Sequence, residues 1–175
     1  MLSIDELRER CQRIYFFGLG FIQVVVSDQR RYHFYHPDLP AFVEQPHNHR
    51  YDFSSKVLRG ALTQRVYTVE PGDTHIMSQE SCDPDKDAPR GERLVRMQEI
   101  FECTLEAGST YGVLHSTFHT VSFQEPTVTQ LSRSGIYRKE FAWVTRLAGT
   151  DPVCPFSKVL PEEDLWGVVR SMSED

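Results

Sequence analysis

From Tyr15 onward the apolar residues fall in short runs rich in aromatic and β-branched side chains, at 15–17, 21–27, 32–35, 53–58 and 62–69, each bounded by Gly, Pro, Asp or Asn. Runs of this kind read as strands joined by turns. A second block follows at 94–105, 113–123, 127–131 and 136–144, with no helical period between its members. Helical signals are confined to the ends. Ser3 and Glu6 form a capping box ahead of Leu7, Cys11 and Ile14, which recur at near-helical spacing, so a short helix is expected on the outside of the sheet. Pro161-Glu162-Glu163-Asp164 reads as the acidic first turn of a helix over 161–172, with Trp166 as its packing anchor. Between the two β blocks, 71–92 sets Asp73, Glu80, Asp83, Asp85 and Asp87 among Pro, Gly and Ser, and is expected to form a long polar loop. Many short strands without intervening helices imply an all-β sandwich or barrel, here one domain over 1–175 with its core at about 15–145.

Composition narrows the function classes. At 175 residues the chain can bury a core without staples, and 11 Phe with 7 Tyr supply the packing material. A net charge of -6 with scattered basic residues disfavours a nucleic-acid partner. No apolar run approaches the roughly 20 residues that span a bilayer, so a soluble protein without a membrane partner is expected. Cys11, Cys82, Cys103 and Cys154 lie far apart, with no C-x-x-C pair and no recognisable secretory leader. Free thiols and a cytoplasmic location follow as expectations.

The chemistry concentrates in histidine. In His47-Asn48-His49 the two imidazoles are residues i and i+2, which point to one face of a strand and can share one metal ion. Gly60 closes the next strand, and a second Gly-to-His segment runs from Gly108 to His119.

These two segments resemble the paired motifs of the cupin superfamily. The first motif, H-x-H with an acidic residue and a later Gly, matches His47-Asn48-His49 through Asp52 to Gly60; the second, G-x5-P-x-G-x2-H, matches Gly108 to His119 with Leu114 and Ser116 in place of its Pro and middle Gly. The resemblance covers about 46–123 and implies a cupin-type double-stranded β-helix, a jelly-roll barrel with the histidines around one metal. It also implies a departure: the family's acidic ligand would fall on Phe53 or Ser54. Asp52 stands one residue early and by strand alternation points away from 47, 49, 51 and 53 unless a bulge re-aims it.

His47, His49 and His119, with Asp52 as the candidate fourth, are therefore the expected metal ligands. The ion is a divalent transition metal, iron first, with zinc, manganese or nickel as alternatives. Three-His relatives include thiol and diketone dioxygenases, which implies an oxygen-dependent reaction on a small anionic or thiol-containing metabolite. A non-oxidative isomerase or lyase and a non-catalytic ligand-binding cupin are the alternatives. His115, four residues before His119, and Tyr51, on the face of the H-x-H, are candidates for moving protons. Substrate contacts are expected from the following strand, from Arg65 with Tyr67 if that parity looks inward, or from Gln64 if the other does. His33, His36 and His75 read as surface or turn residues. A homodimer through 15–26 or 137–144 is the expected assembly.

Overall fold

The computed structural model describes residues 3–79, 90–134, 142–154 and 159–173. Helix α1 (Ile4–Arg10) begins at the expected capping box, in which Glu6 N–H donates to Ser3 Oγ and Ser3 N–H donates to Glu6 Oε2. It stops at Cys11, so Ile14 belongs to the first strand. Among the described residues ten strands follow: β1 (Arg13–Phe17), β2 (Phe21–Val25), β3 (Arg30–Tyr35), β4 (Asp52–Arg59), β5 (Ala61–Gln79), β6 (Arg90–Glu106), β7 (Thr110–Val113), β8 (Phe118–Ser122), β9 (Thr127–Ser134) and β10 (Trp143–Leu147), before the C-terminal helix α2 (Glu162–Ser171).

The strands form two antiparallel sheets, a jelly-roll in class. One runs β1-β2-β3-β9-β4-β7, and in the other β5 is flanked by β6 on one side and by β8 and β10 on the other. One 19-residue strand serves two neighbours: 63–67 of β5 pairs with β8 and 75–79 with β10. Gly60 makes the passage from β4 to β5 at φ +71, where a Cβ would meet Pro126 O at 2.5 Å. Only glycine takes that backbone there without strain.

Two expectations about the elements are corrected. The segment 71–92 is not a continuous loop, because β5 runs on to Gln79 and β6 starts at Arg90; residues 80–89 lie outside the described part. Register shifts between Pro71 and His75 take up the Pro and Gly that signalled a loop, since a bulge accommodates a residue without an N–H. The run 113–123 is likewise two strands, β7 and β8, divided by a turn in which Thr117 N–H donates to Leu114 O at 2.9 Å. Cys11 and Cys103 are free, but Cys154 is disulfide-bonded, against the expectation of free thiols. Sequence separation says nothing about which cysteines a fold juxtaposes, so cysteine spacing no longer speaks for a reducing compartment. No helix among the described residues is long and apolar enough to cross a membrane. Most of the expected strand 136–144 also lies outside the described part, β10 being resolved from Trp143.

The six-stranded sheet is covered on both faces by unlike materials. On one face Phe16, Ile22, Val24, Tyr32, Phe34 and Val128 pack against Leu7 of α1 and Leu165, Trp166 and Val169 of α2. This is the main apolar core, and it lies outside the barrel. Residues of the opposite parity are buried as well, and they mix polar groups, Gln23, Arg31, His33, Ser55, Thr127 and Thr129, with apolar ones such as Phe21, Phe53, Val57 and Leu131. The ladder pairs Gln23 with His33 and His33 with Thr129, and directly paired residues project to one face, so these groups share the inner face.

Candidate metal centre

His47, His49 and His119 come together at the inner face, their ligand atoms all within 4.8 Å of one another. His119 sits on β8. The H-x-H segment lies at the edge of that strand, with His119 N–H donating to His47 O at 2.9 Å and His47 N–H returning to His119 O at 3.2 Å. Pro46 and Asn48 hold it from the other side, because Thr145 N–H and Thr145 Oγ1 donate to Pro46 O and Trp143 N–H donates to Asn48 Oδ1 at 2.7 Å. The chain then enters β4, whose Phe53 lays its ring against His49 and His119, with centroids 4.9 and 6.0 Å away. The two halves of the triad thus come from segments far apart in sequence, His119 on β8 and the H-x-H on a segment outside the strands that bridges to it at His47.

The donor chemistry fits a cation. His47 Nδ1–H donates to Gln45 O at 3.0 Å, which leaves Nε2 with the lone pair. His49 Nε2 and His119 Nε2 are 2.8 Å apart, and His119 Nδ1 is buried with no hydrogen-bond partner. Burial pushes all three imidazoles down, His49 and His119 well below the usual histidine value, and for these two repulsion from the neighbouring imidazoles adds to it. All three are therefore neutral near pH 7, the form that ligates. Beside them Glu44 accepts Val121 N–H at 2.5 Å and lies 3.8 Å from His47 Nδ1; burial raises its carboxyl to about 8.

The remaining sequence candidates divide. Asp52 does not join the histidine group: its Oδ1 accepts from His115 N–H at 2.6 Å and from His115 Nδ1 at 2.7 Å, tying the start of β4 to the β7–β8 turn. Strand alternation is the reason, since neighbouring Phe53 takes the inward position. His115 is thereby engaged by Asp52 and is not a fourth member of the group. Tyr51 is at the site, 5.7 Å from His49 between ring centroids. On β5 the inward parity is that of Gln64, buried at 6% exposure and paired with Val121, two residues from His119 on the same face. Arg65 and Tyr67 have the outward parity; Arg65 meets Glu102 at 2.6 Å and Ser122 Oγ, and Tyr67 OH contacts Thr120 Oγ1 and packs near Met77, Val95 and Phe118.

Three residues were missed in the sequence. His33, read as a surface group, is buried, and burial lowers it to about 3. Its Nε2–H donates to Gln23 Oε1 at 3.0 Å, and its Nδ1 accepts from Tyr35 OH at 3.2 Å. Arg31 and Gln23 complete the group. The available signal was the alternation Arg31-Tyr32-His33-Phe34-Tyr35, in which polar residues recur at period two inside an otherwise apolar strand. A surface cleft of about 450 Å³ opens between Arg10, Arg30 and Arg133, but none of the three histidines lines it.

No protein-family model matches the chain, and no curated protein matches it. Solved structures with a similar course include Drosophila melanogaster CENP-C bound to CAL1, 10% identical at a TM-score of 0.40, covering 69% of this chain and 80% of that one. The hydroquinone 1,2-dioxygenase of Sphingomonas sp. TTNP3 with 4-hydroxybenzoate bound is 12% identical at 0.33, covering 64% of each chain. E. coli ycfD is 16% identical at 0.36, covering 82% of this chain and 38% of that one. No residue of the site is assigned from them.

Proposed function

We propose that this chain is a metal-dependent cupin that holds one divalent transition metal on His47, His49 and His119 and acts as an oxygen-dependent dioxygenase on a small anionic or thiol-containing metabolite, with iron the first candidate. The observation that supports the reading is the convergence of three imidazoles, His119 buried and His47 and His49 half-buried, whose ligand atoms lie within 4.8 Å of one another. A bound ion supplies Lewis acidity and, if it is iron, the means to activate dioxygen.

The chain's own residues do the rest. Phe53, Val113 and Leu131 form an apolar patch beside the histidines that excludes water from that side. Gln45 O orients His47 through its Nδ1–H. Asp52 holds the proton on His115 Nδ1, so His115 Nε2 is left as a proton acceptor at the β7–β8 turn. Tyr51, beside His49, presents a ring face and a hydroxyl to whatever occupies the interior.

Elemental analysis of the purified protein tests the assignment. Close to one transition-metal ion per chain is expected, falling at least tenfold in His49→Ala and in His119→Ala while the far-ultraviolet circular dichroism is kept. Equal metal content in the variants overturns it. Oxygen uptake with small carboxylates and thiols tests the reaction, and turnover that proceeds without dioxygen overturns the dioxygenase reading.

A further inference from the structure

Arg31 is a buried cation without a buried counter-charge. It is 8% exposed, its Nε has no hydrogen-bond partner, and Nη1 donates only to Gln23 Oε1 at 3.3 Å. Its guanidinium carbon lies 5.4 Å from the centroid of the Tyr51 ring. No carboxylate among the described residues forms an ion pair with it. The surrounding network is neutral throughout: Gln23 Oε1 accepts from both Arg31 and His33, Gln23 Nε2 donates to Tyr15 OH, and Tyr35 OH donates to His33. This network orients the guanidinium and leaves its charge standing.

A buried charge that the fold does not compensate is costly, and such charges are paired or bind something. The position decides what. Arg31 lies against Tyr51, and Tyr51 lies against His49, so the guanidinium and the three-histidine group are neighbours of the same aromatic ring. Arg133 is stacked on the same ring at 4.2 Å. Glu44, a half-buried acid beside the histidines, accepts Val121 N–H and lies against His47, and it forms no ion pair with Arg31. A chain with net charge -6 thus encloses an interior that favours an anion.

We propose that Arg31 is the specificity-determining residue of this interior and receives the oxyanion of the substrate, a carboxylate or a phosphate, beside Tyr51 and the histidine group. The inference rests on the proposed function for the second half of the site and on the Arg31 geometry for the first. It replaces Arg65, which faces Glu102 on the outer side, as the anion-recognising arginine. Guanidinium suits the task because its fork matches the two oxygens of a carboxylate or two of a phosphate.

The test measures thermal stability and calorimetric binding of the purified protein with sodium benzoate, sodium succinate and inorganic phosphate, against sodium chloride at equal ionic strength. Wild type is expected to be stabilised and to bind at least one of these anions. Arg31→Gln is expected to bind it at least tenfold more weakly while unfolding at the same or a higher temperature, because it removes an uncompensated buried charge. Arg31→Lys, which keeps the charge without the fork, is expected to fall between the two. A response to the carboxylates assigns a carboxylate substrate, and a response to phosphate alone assigns a phosphorylated one. No anion response in wild type, or an equal response in Arg31→Gln and Arg31→Lys, overturns the proposal. So does a loss of unfolding temperature in Arg31→Gln without loss of binding, which would make Arg31 structural. Metal content measured on the same samples separates the two readings: Arg31→Gln keeps its metal, whereas failure of the histidine assignment shows as absent metal with the anion response intact.

Discussion

At the scale of single residues the interior is set by what each polar group can do with its charge. His33 is driven from 6.5 to about 3 by burial, with the nearby Arg31 charge adding to it. The unfolded chain therefore takes up a proton on this residue near pH 6.5, and the folded chain does so only near pH 3. The stability tied to neutral His33 is complete above the unfolded value and drains away as pH falls through that window, at about 1.4 kcal/mol per unit of pKa difference. Thermal unfolding followed from pH 7 to pH 4 is expected to show a falling midpoint. In His33→Gln, which keeps a donor for Gln23 Oε1, the fall should be shallower; an unchanged slope would remove His33 from the account. The same reasoning explains which candidate residues were legible. His47, His49 and His119 could be read because an i, i+2 pair and a distant third histidine are a chemical pattern in the chain itself. Arg31 could not, because an arginine in a strand is ordinarily solvated, and only its neighbours show that it is not.

At the scale of elements the deciding feature is parity. β5 and β8 lie in register such that Gln64 faces Val121 and Arg65 faces Thr120. A strand's alternation divides its residues into two sets, but which set looks inward depends on the partner strand, and one step of register exchanges them. That is why Gln64 and Arg65 stood as alternatives until the ladder was known. The loop expected at 71–92 failed for a related reason. Pro71, Gly72 and Asp73 carry the composition of a turn, but the bulge between Pro71 and His75 lets the hairpin continue past them, and Met77 and Val95 then bury the far part. Gly60 shows the opposite case, a turn residue that is needed. Gly60→Ala places a Cβ against Pro126 O and Thr127 at φ +71 and is expected to destabilise the protein by about 1–3 kcal/mol, measured by denaturant unfolding. A change within a few tenths of a kcal/mol would show that the β4–β5 passage relaxes freely.

The whole molecule separates stability from chemistry. Its largest apolar cluster is the outer face of the six-stranded sheet under α1 and α2, while the inner face, where polar groups stand among Phe53, Val113 and Leu131, carries the site. Trp166, 4% exposed, belongs to the former, with its Nε1–H on Glu162 Oε1 and Arg8 over its ring at 5.1 Å. Trp166→Ala is expected to cost about 3–5 kcal/mol of stability while the folded fraction keeps its full metal content. Metal lost in proportion to stability would mean that the two faces are not independent.

The amino-acid sequence by itself determined the all-β class, the helices at both ends, the capping box at Ser3 and the three histidines, because each of these depends on period, turn chemistry or a repeated ligand type that is local to the chain. Tertiary structure decided that Asp52 holds His115 and stays out of the histidine group, that Gln64 and not Arg65 faces inward, and that Arg31 and His33 are buried. Those outcomes depend on strand register and on which face of the sheet the two helices cover. Both are long-range quantities, fixed only when distant segments pair and exclude water together.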